Sequence, residues 1–332
     1  MIRRIGAYTM IRLIGRSIVF VFLLQLGVSI PLLAQTSGNA AEITLTNVYD
    51  AFGADAKGLK QDFGFSCVVR YRGKVILFDA GTDTDIFEKN LKALKIAPKK
   101  IDIAVLSHGH YDHMGGFDYL LRVNPKMKIY LPNDFFSLGA PIKFPFRETE
   151  PNVAKTLPKD EQYFRGERVV EGMTSVPTGR FNQATVEYLT VAKEVLPGLT
   201  LVPTTSALMG TFIKYPPFDK NPQFIGMPEL SASFSTKNGQ VIIAGCSHST
   251  IEVIVQETKK VVNEKILLVA GGFHLIPYSR GYIDDLAKRM KSDYGVESVA
   301  PAHCTGHLGF SVFRDTFGES YRAFGLGATI KL

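Results

Sequence analysis

All seven histidines of the chain fall in four short segments. These are Ser107-His108-Gly109-His110-Tyr111-Asp112-His113, Gly245-Cys246-Ser247-His248, Gly271-Gly272-Phe273-His274 and Pro301-Ala302-His303-Cys304-Thr305-Gly306-His307. Each follows an apolar, β-branched run that reads as a strand, at 101–106, 241–244, 266–270 and 296–300. Imidazoles gathered at the C-terminal ends of strands point to one polar site on the rim of a sheet. Neutral imidazole is the commonest side-chain metal ligand, so the expected chemistry is that of a bound cation.

The first segment is the most informative. In extended backbone, positions two apart point the same way, so His108 and His110 can grip one cation. Asp112 and His113 stand at a turn into a helix that begins near Phe117, where they can face a second cation. Two close cations make a water between them more acidic and polarise a carbonyl or phosphoryl oxygen, which is hydrolytic chemistry.

The elements that must position these residues are mixed β, then βα units. Strands read at 43–49, 65–71 and 74–78, the last two turned by Gly73, and a helix at 83–94 with Asp83 as its cap. A βα unit covers 101–124 and a strand covers 128–131. The stretch 132–198, with seven prolines, many charges and several aromatics, breaks the pattern. Strands then read at 199–202, 231–235 and 241–244, followed by helix 249–263, strand 266–270, helix 283–294 and strand 296–300. The result is two β-rich halves, each closed by βα units.

His-X-His-X-Asp-His after an apolar strand resembles the motif of the metallo-β-lactamase superfamily. Leu77-Phe78-Asp79-Ala80-Gly81 is similar to its early strand, whose aspartate supports the metal ligands by hydrogen bonding from behind. Gly-Cys-Ser-His, Gly-Gly-Phe-His-Leu and Pro-X-His-Cys-Thr-Gly resemble one branch. It comprises metal-dependent hydrolases related to 7,8-dihydropterin-6-yl-methyl-4-(β-D-ribofuranosyl)aminobenzene 5'-phosphate synthase. The resemblance runs from residue 43 to 332, loosely between about 132 and 223.

It implies an α/β (α+β), four-layer αββα sandwich over residues 41–332, with an irregular lid or substrate-loop insertion at about 132–223. It also implies one or two ions, zinc first and manganese or iron as alternatives. His108, His110 and His248 are assigned to one cation, and Asp112, His113 and His303 to the other. Asp79 and Cys246 stand behind the ligands, with entry of Cys246 into the coordination sphere as the sharper alternative. Asp112 and His274 are the catalytic candidates, His274 being either a ligand or a proton donor to the leaving group. His307 reads as a surface or supporting residue. Phe144, Phe146, Tyr163, Phe164, Phe212 and Tyr215 could wall a pocket, and Arg147, Arg165 or Lys214 could receive an anion. Two features depart from the superfamily pattern. No histidine lies between Gly116 and Glu229, and Cys246 occupies the place of the later aspartate.

A chain of 332 residues with 45% hydrophobic content can bury a full core. Its formal charge of +7 is misleading, because Arg3, Arg4, Arg12 and Arg16 have no acidic partner in the first 34 residues. Setting those aside leaves 34 of the 38 basic residues against 31 acidic ones, which gives no reason to expect nucleic acid. The expected partner is a small-molecule substrate, and the oligomeric state is open.

Basic residues up to Arg16, the apolar run 17–34 and the small or polar Gln35-Thr36-Ser37-Gly38 follow the order of a secretory signal over 1–34, cut after Ala34. Met10 could be the true start. The alternative, an uncleaved anchor, is weakened by Gln25 and Pro31. The chain then reads as an exported protein, periplasmic or secreted, that meets the membrane only through its signal. Three cysteines are an odd count for a disulfide framework; Cys67 reads as core.

Three classes of function compete. The first is a hydrolase using a metal-activated water on an ester, lactone or phosphoester. The second is a pterin-related group-transferring enzyme, against which export argues. The third is a metal-centred oxidoreductase or a non-catalytic metal-binding protein.

Overall fold

Side chains along a strand alternate between two faces, and a strand buried on both sides is apolar on both. The computed structural model describes residues 43–53, 58–135, 138–139, 150–158, 161–162, 185–213 and 223–332. Its first half contains β1 (Ile43–Tyr49), β2 (Ser66–Tyr71), β3 (Lys74–Phe78), α1 (Thr84–Ala93), β4 (Ile103–Val105), α2 (Tyr111–Met114), α3 (Phe117–Val123) and β5 (Lys128–Pro132). There follow the short β6 (Leu138–Gly139), then β7 (Thr185–Leu189), β8 (Lys193–Leu196), β9 (Leu199–Thr204), and the short β10 (Phe212–Ile213) and β11 (Phe224–Ile225). The second half adds β12 (Glu229–Thr236), β13 (Gly239–Ala244), α4 (Ile251–Val261), β14 (Ile266–Gly272), α5 (Arg280–Ser292), β15 (Val296–Ala302), α6 (Gly306–Phe317) and β16 (Thr329–Lys331).

Two large sheets form, ordered β16-β1-β2-β3-β4-β5-β7 and β15-β14-β13-β12-β9-β8. Alternation sorts their side chains into three cores. Ile76 and Phe78 of β3 meet Val241 and Ile243 of β13 in the core between the sheets. Leu77 points the other way, with Phe87 of α1 and Phe117 and Leu120 of α3. Ile242 and Ala244 of β13 likewise point outward, with Ile254 of α4, Ile283 of α5 and Phe313 of α6. Helices therefore cover both outer faces, and the architecture is the expected αββα sandwich. Cys67 is buried between the sheets, as read.

β3 and β4 run parallel, as do β13, β14 and β15. The C-terminal ends of β4, β13, β14 and β15 lead into the histidine segments, and that of β3 leads into Asp79. β1 shares the direction of β3, since each is antiparallel to β2. β12 is antiparallel to β13, so its first residue, Glu229, lies at the rim where β13 ends.

The insertion read as irregular is partly regular. β7 extends the first sheet beside β5, and β8 pairs with β9 at the edge of the second. Exposed Thr185 and Tyr188 in β7 and exposed Lys193 and Glu194 in β8 hide both strands, because an edge strand needs little apolar pattern. Helix α6 was also not anticipated. Gly306 and Gly309 mask its pattern, although its apolar face packs into the outer core. His307 lies in it, buried rather than at the surface. The export signal at 1–34 and the pocket candidates Phe144, Phe146, Arg147, Tyr163, Phe164, Arg165, Lys214 and Tyr215 lie outside the described residues, while Phe212 pairs with Gly139 and Ile225 in the small third sheet. Among the described residues no helix is long and apolar enough to cross a membrane.

The first histidine loop lies backbone to backbone on the turn after β3. Ala80 N–H donates to His113 O at 2.7 Å, and Gly115 and Gly116 N–H donate to Gly81 O and Ala80 O. A Cβ on Gly115 would fall on the carbonyl of Thr82. Gly281, in the first turn of α5, faces open space. We expect Gly115→Ala to cost at least the ~1–3 kcal/mol of an overpacked site. Gly281→Ala should be neutral or gain up to ~1 kcal/mol. Urea-unfolding midpoints of the two variants check this, and equal midpoints would contradict it.

Candidate metal centre

Asp79 follows β3 and is fully buried. Its Oδ1 accepts the Ser107 N–H at 2.7 Å, and its Oδ2 accepts the Ser107 hydroxyl at 2.7 Å. The same Oδ2 lies 2.7 Å from His113 Nδ1. An ionised carboxylate only accepts, so His113 carries its ring hydrogen on Nδ1 and turns Nε2 forward. Ser107 spends its hydrogen on Asp79, so its Oγ accepts from His108 Nδ1 at 2.8 Å and His108 Nε2 also turns forward. One carboxylate thereby sets the orientation of two imidazoles, the role expected of Asp79.

The forward atoms form overlapping groups. Asp112, His113, Cys246 and His303 each offer one ligand atom, all within 4.8 Å of one another; so do His108, Cys246 and His248, and so do Cys246, His274 and Cys304. Asp112 Oδ2 is 3.3 Å from His303 Nε2 and 3.7 Å from His113 Nε2. The His110 ring lies 4.7 Å from that of His108 and 4.6 Å from that of His248. Asp112, His113 and His303 thus come together as one group, and His108, His110 and His248 as neighbours. Cys246, placed behind the ligands from sequence, instead stands among the ligand atoms and belongs to every group. Its Sγ is 3.1 Å from His113 Nε2. His274 packs its ring 4.3 Å from that of His248.

Two buried atoms, Asp112 Oδ1 and His248 Nε2, have no hydrogen-bond partner among the described residues. Buried polar atoms are rarely left so, and facing a set of imidazoles they fit a cation. The protonation states agree. Burial and neighbouring imidazoles hold His108 and His248 well below the ordinary histidine range. Burial lowers His110 to about 3 and His274 to about 4. At that value His274 is neutral near neutral pH, the form in which an imidazole nitrogen can ligate a cation. Burial would raise Asp112, but His113 and His303 outweigh it and keep the carboxylate ionised. His113 is the exception: burial opposes its charge, yet Asp79 and Asp112 lift it to about 9. In the metal-free protein a proton on its Nε2 stands where a cation would replace it.

Two further carboxylates were missed from sequence. Asp50, buried after β1, accepts the His303 N–H at 3.2 Å and the Asn47 side-chain N–H at 2.9 Å. The signal was present, because Asp50 follows strand 43–49 as Asp79 follows strand 74–78. Glu229 accepts the N–H groups of His248 and Ser249, each at 2.8 Å. Burial pushes it up to about 7 while those bonds pull it back. Nothing in Met227-Pro228-Glu229-Leu230 separates it from an ordinary loop acid. The rim is strained as well, with Asp79, Ser247, His274 and His303 all at positive φ. Such backbone persists where surrounding contacts enforce it, commonly at functional sites.

Residues 59–203 match the model of the metallo-β-lactamase superfamily. The chain has the metallo-β-lactamase fold. It is 29% identical over 267 residues to the 7,8-dihydropterin-6-methyl-4-(β-D-ribofuranosyl)-aminobenzene-5'-phosphate synthase of Methanocaldococcus jannaschii, spanning 78% of this chain and 84% of that protein. Among solved structures it resembles a metal-dependent hydrolase of the β-lactamase superfamily, with a TM-score of 0.66 at 24% identity over 87% of this chain and 99% of that one. Zinc-bound PqqB from Methylobacterium extorquens gives a TM-score of 0.51 at 12% identity, over 88% and 100% of the two chains. At these identities the two structures share the fold.

Asp79→Asn should weaken metal binding by roughly 10–100-fold, the usual loss when a ligand's supporting hydrogen bond is removed. It should also change how the metal-free protein responds to pH. His108, His110, His248 and His274 have folded values below the ordinary 6.5, so stability is lost as pH falls below that value. Glu229, raised to about 7, offsets part of this loss. His113, at about 9, contributes stability that is whole below 6.5 and lost as pH rises through 9. Denaturation midpoints of chelator-treated protein should therefore fall on both sides of 6.5, and Asp79→Asn should flatten the alkaline side. An unchanged alkaline side would contradict the assignment.

Proposed function

We propose that the protein is a metal-dependent hydrolase acting on an ester, lactone or phosphoester. The observation that carries this reading is the convergence of Asp112, Cys246 and six imidazoles on one buried rim, with Asp112 Oδ1 and His248 Nε2 lacking hydrogen-bond partners among the described residues. Asp112, His113, Cys246 and His303 would hold one cation; His108, His110 and His248, with Cys246 beside them, would hold the other, zinc being the cation that suits such mixed nitrogen, sulfur and oxygen donors. A bound divalent cation supplies Lewis acidity toward a carbonyl or phosphoryl oxygen and makes a water more acidic near neutral pH.

The chain's own residues do the rest. Asp112 is ionised, so its free Oδ1 can accept a hydrogen bond from the attacking water and aim it. Asp79, Asp50 and Glu229 hold His113, His303 and His248 in place through hydrogen bonds.

A second reading is a group-transferring synthase. It is favoured by the 29% identity to the methanogen enzyme over most of both chains. We also propose export, supported by the arginine-then-apolar order of residues 1–34; it weighs against a role on cytoplasmic phosphorylated pterins.

We expect the purified protein to contain about one to two equivalents of divalent transition metal in these two groups. Asp112→Asn should lower hydrolysis by at least ~10²-fold. Turnover across ester, lactone and phosphodiester substrates, with metal content by elemental analysis, checks this. A metal-loaded protein inert toward all three, yet forming the dihydropterin product that names its relative, would establish the second reading. Mass spectrometry of the mature N-terminus should find it near Gln35, and an intact Met1 or Met10 on a cytoplasmic protein would overturn export.

A further inference from the structure

β13, β14 and β15 lie side by side, and Cys246 and Cys304 follow the two outer strands. Strands two apart in a sheet are separated by roughly 9–10 Å, yet the two sulfurs are 3.4 Å apart. The middle strand makes this possible by ending in Gly272, where a Cβ would lie 2.8 Å from Cys304 Sγ and collide with the Gly245 carbonyl. Two residues on, His274 turns back at positive φ and brings a ring nitrogen within 4.8 Å of both sulfurs. All three side chains are buried. The other ligand groups use Cys246 but not Cys304, so this arrangement is not explained by them.

We propose that Cys246, Cys304 and His274 form a thiolate-rich position of their own for a thiophilic divalent cation, zinc or cadmium, sharing the Cys246 sulfur with the neighbouring Asp112 group. With zinc–sulfur bonds of about 2.3 Å, two sulfurs on one tetrahedral cation stand about 3.8 Å apart, close to the spacing found. On binding, each thiol releases its proton to solvent and both electron pairs go to the cation, with no change of oxidation state. With the neighbouring group empty, two thiolates, a neutral imidazole and a dication carry no net charge, which suits a site shut away from water. The geometry stands whether or not the protein hydrolyses anything.

The test uses the full chain, stripped with chelator under reducing conditions and titrated with cobalt(II), so that binding is read without turnover. The wild type should bind one more cobalt than Cys304→Ser, and its sulfur-to-cobalt charge-transfer band should fall to about half in that variant. His274→Ala should lose the same equivalent. A Cys304→Ser protein matching the wild type in both band and stoichiometry would overturn the proposal. If that variant does not fold, the cadmium-loaded wild type decides: charge-transfer absorption of two thiolates supports the site, and that of one or none rejects it. A Cys246–Cys304 disulfide in protein isolated anaerobically without reductant would also reject it.

Discussion

The carboxylate of Asp79 accepts three hydrogen bonds at 2.7 Å, from the Ser107 backbone, the Ser107 hydroxyl and the His113 ring. The rest of the centre depends on this interaction. A buried carboxylate is costly unless its oxygens are occupied, and here satisfying them sets which face of His108 and of His113 looks into the site. Asp79 meets both partners from a backbone that leaves β3 at positive φ. The same solution recurs in the other loops, with Asp50 under His303 and Glu229 under His248. Each buried acid is satisfied by N–H groups of a loop that would otherwise be free to wander.

These anchors act together because they lie on one edge. The parallel runs β3-β4 and β13-β14-β15 end on the same rim, where β1, running the same way as β3, delivers Asp50 and β12, of opposite sense, begins with Glu229. The two halves are also stitched directly. Leu230, next to Glu229, donates its N–H to Ser107 O at 2.8 Å, joining the anchor of His248 to the anchor of His108. Below the rim, Phe78, Ile243 and their neighbours close the core between the sheets, so a shift of one sheet against the other would displace ligands of both groups at once.

Much of this was legible in the residues. Apolar strands followed at once by histidines fixed the direction of β4, β13, β14 and β15, since only a strand end can present such a loop to a rim. β1 and β3 ran to the residues expected. Elements without an apolar period were not legible: β7 and β8 are half-exposed edge strands, and glycines interrupt α6. Within the site, the ligand residues carried their own chemistry, whereas Glu229 acts through backbone groups that leave no trace in composition. Cys246 stayed open in the sequence, because a cysteine beside a histidine reads equally as packing or as ligand. Only its 3.1 Å approach to His113 Nε2 separates the two.

Cys246 also bears on how the chain departs from the metallo-β-lactamase pattern that it resembles. It occupies the place of the later aspartate, and no histidine stands between Gly116 and Glu229. The structure puts its sulfur in every ligand group, so one atom meets demands that a carboxylate meets with two. A thiolate supplies the same unit charge but is soft, and in a buried centre it favours zinc-like cations over hard ones that prefer oxygen. His248, held by Glu229, adds a nitrogen beside it. With neutral imidazoles around them, Asp112 and Cys246 would be the centre's principal ligand charges. The cost of bringing a dication out of water would then be met by those two charges and by the imidazole nitrogens.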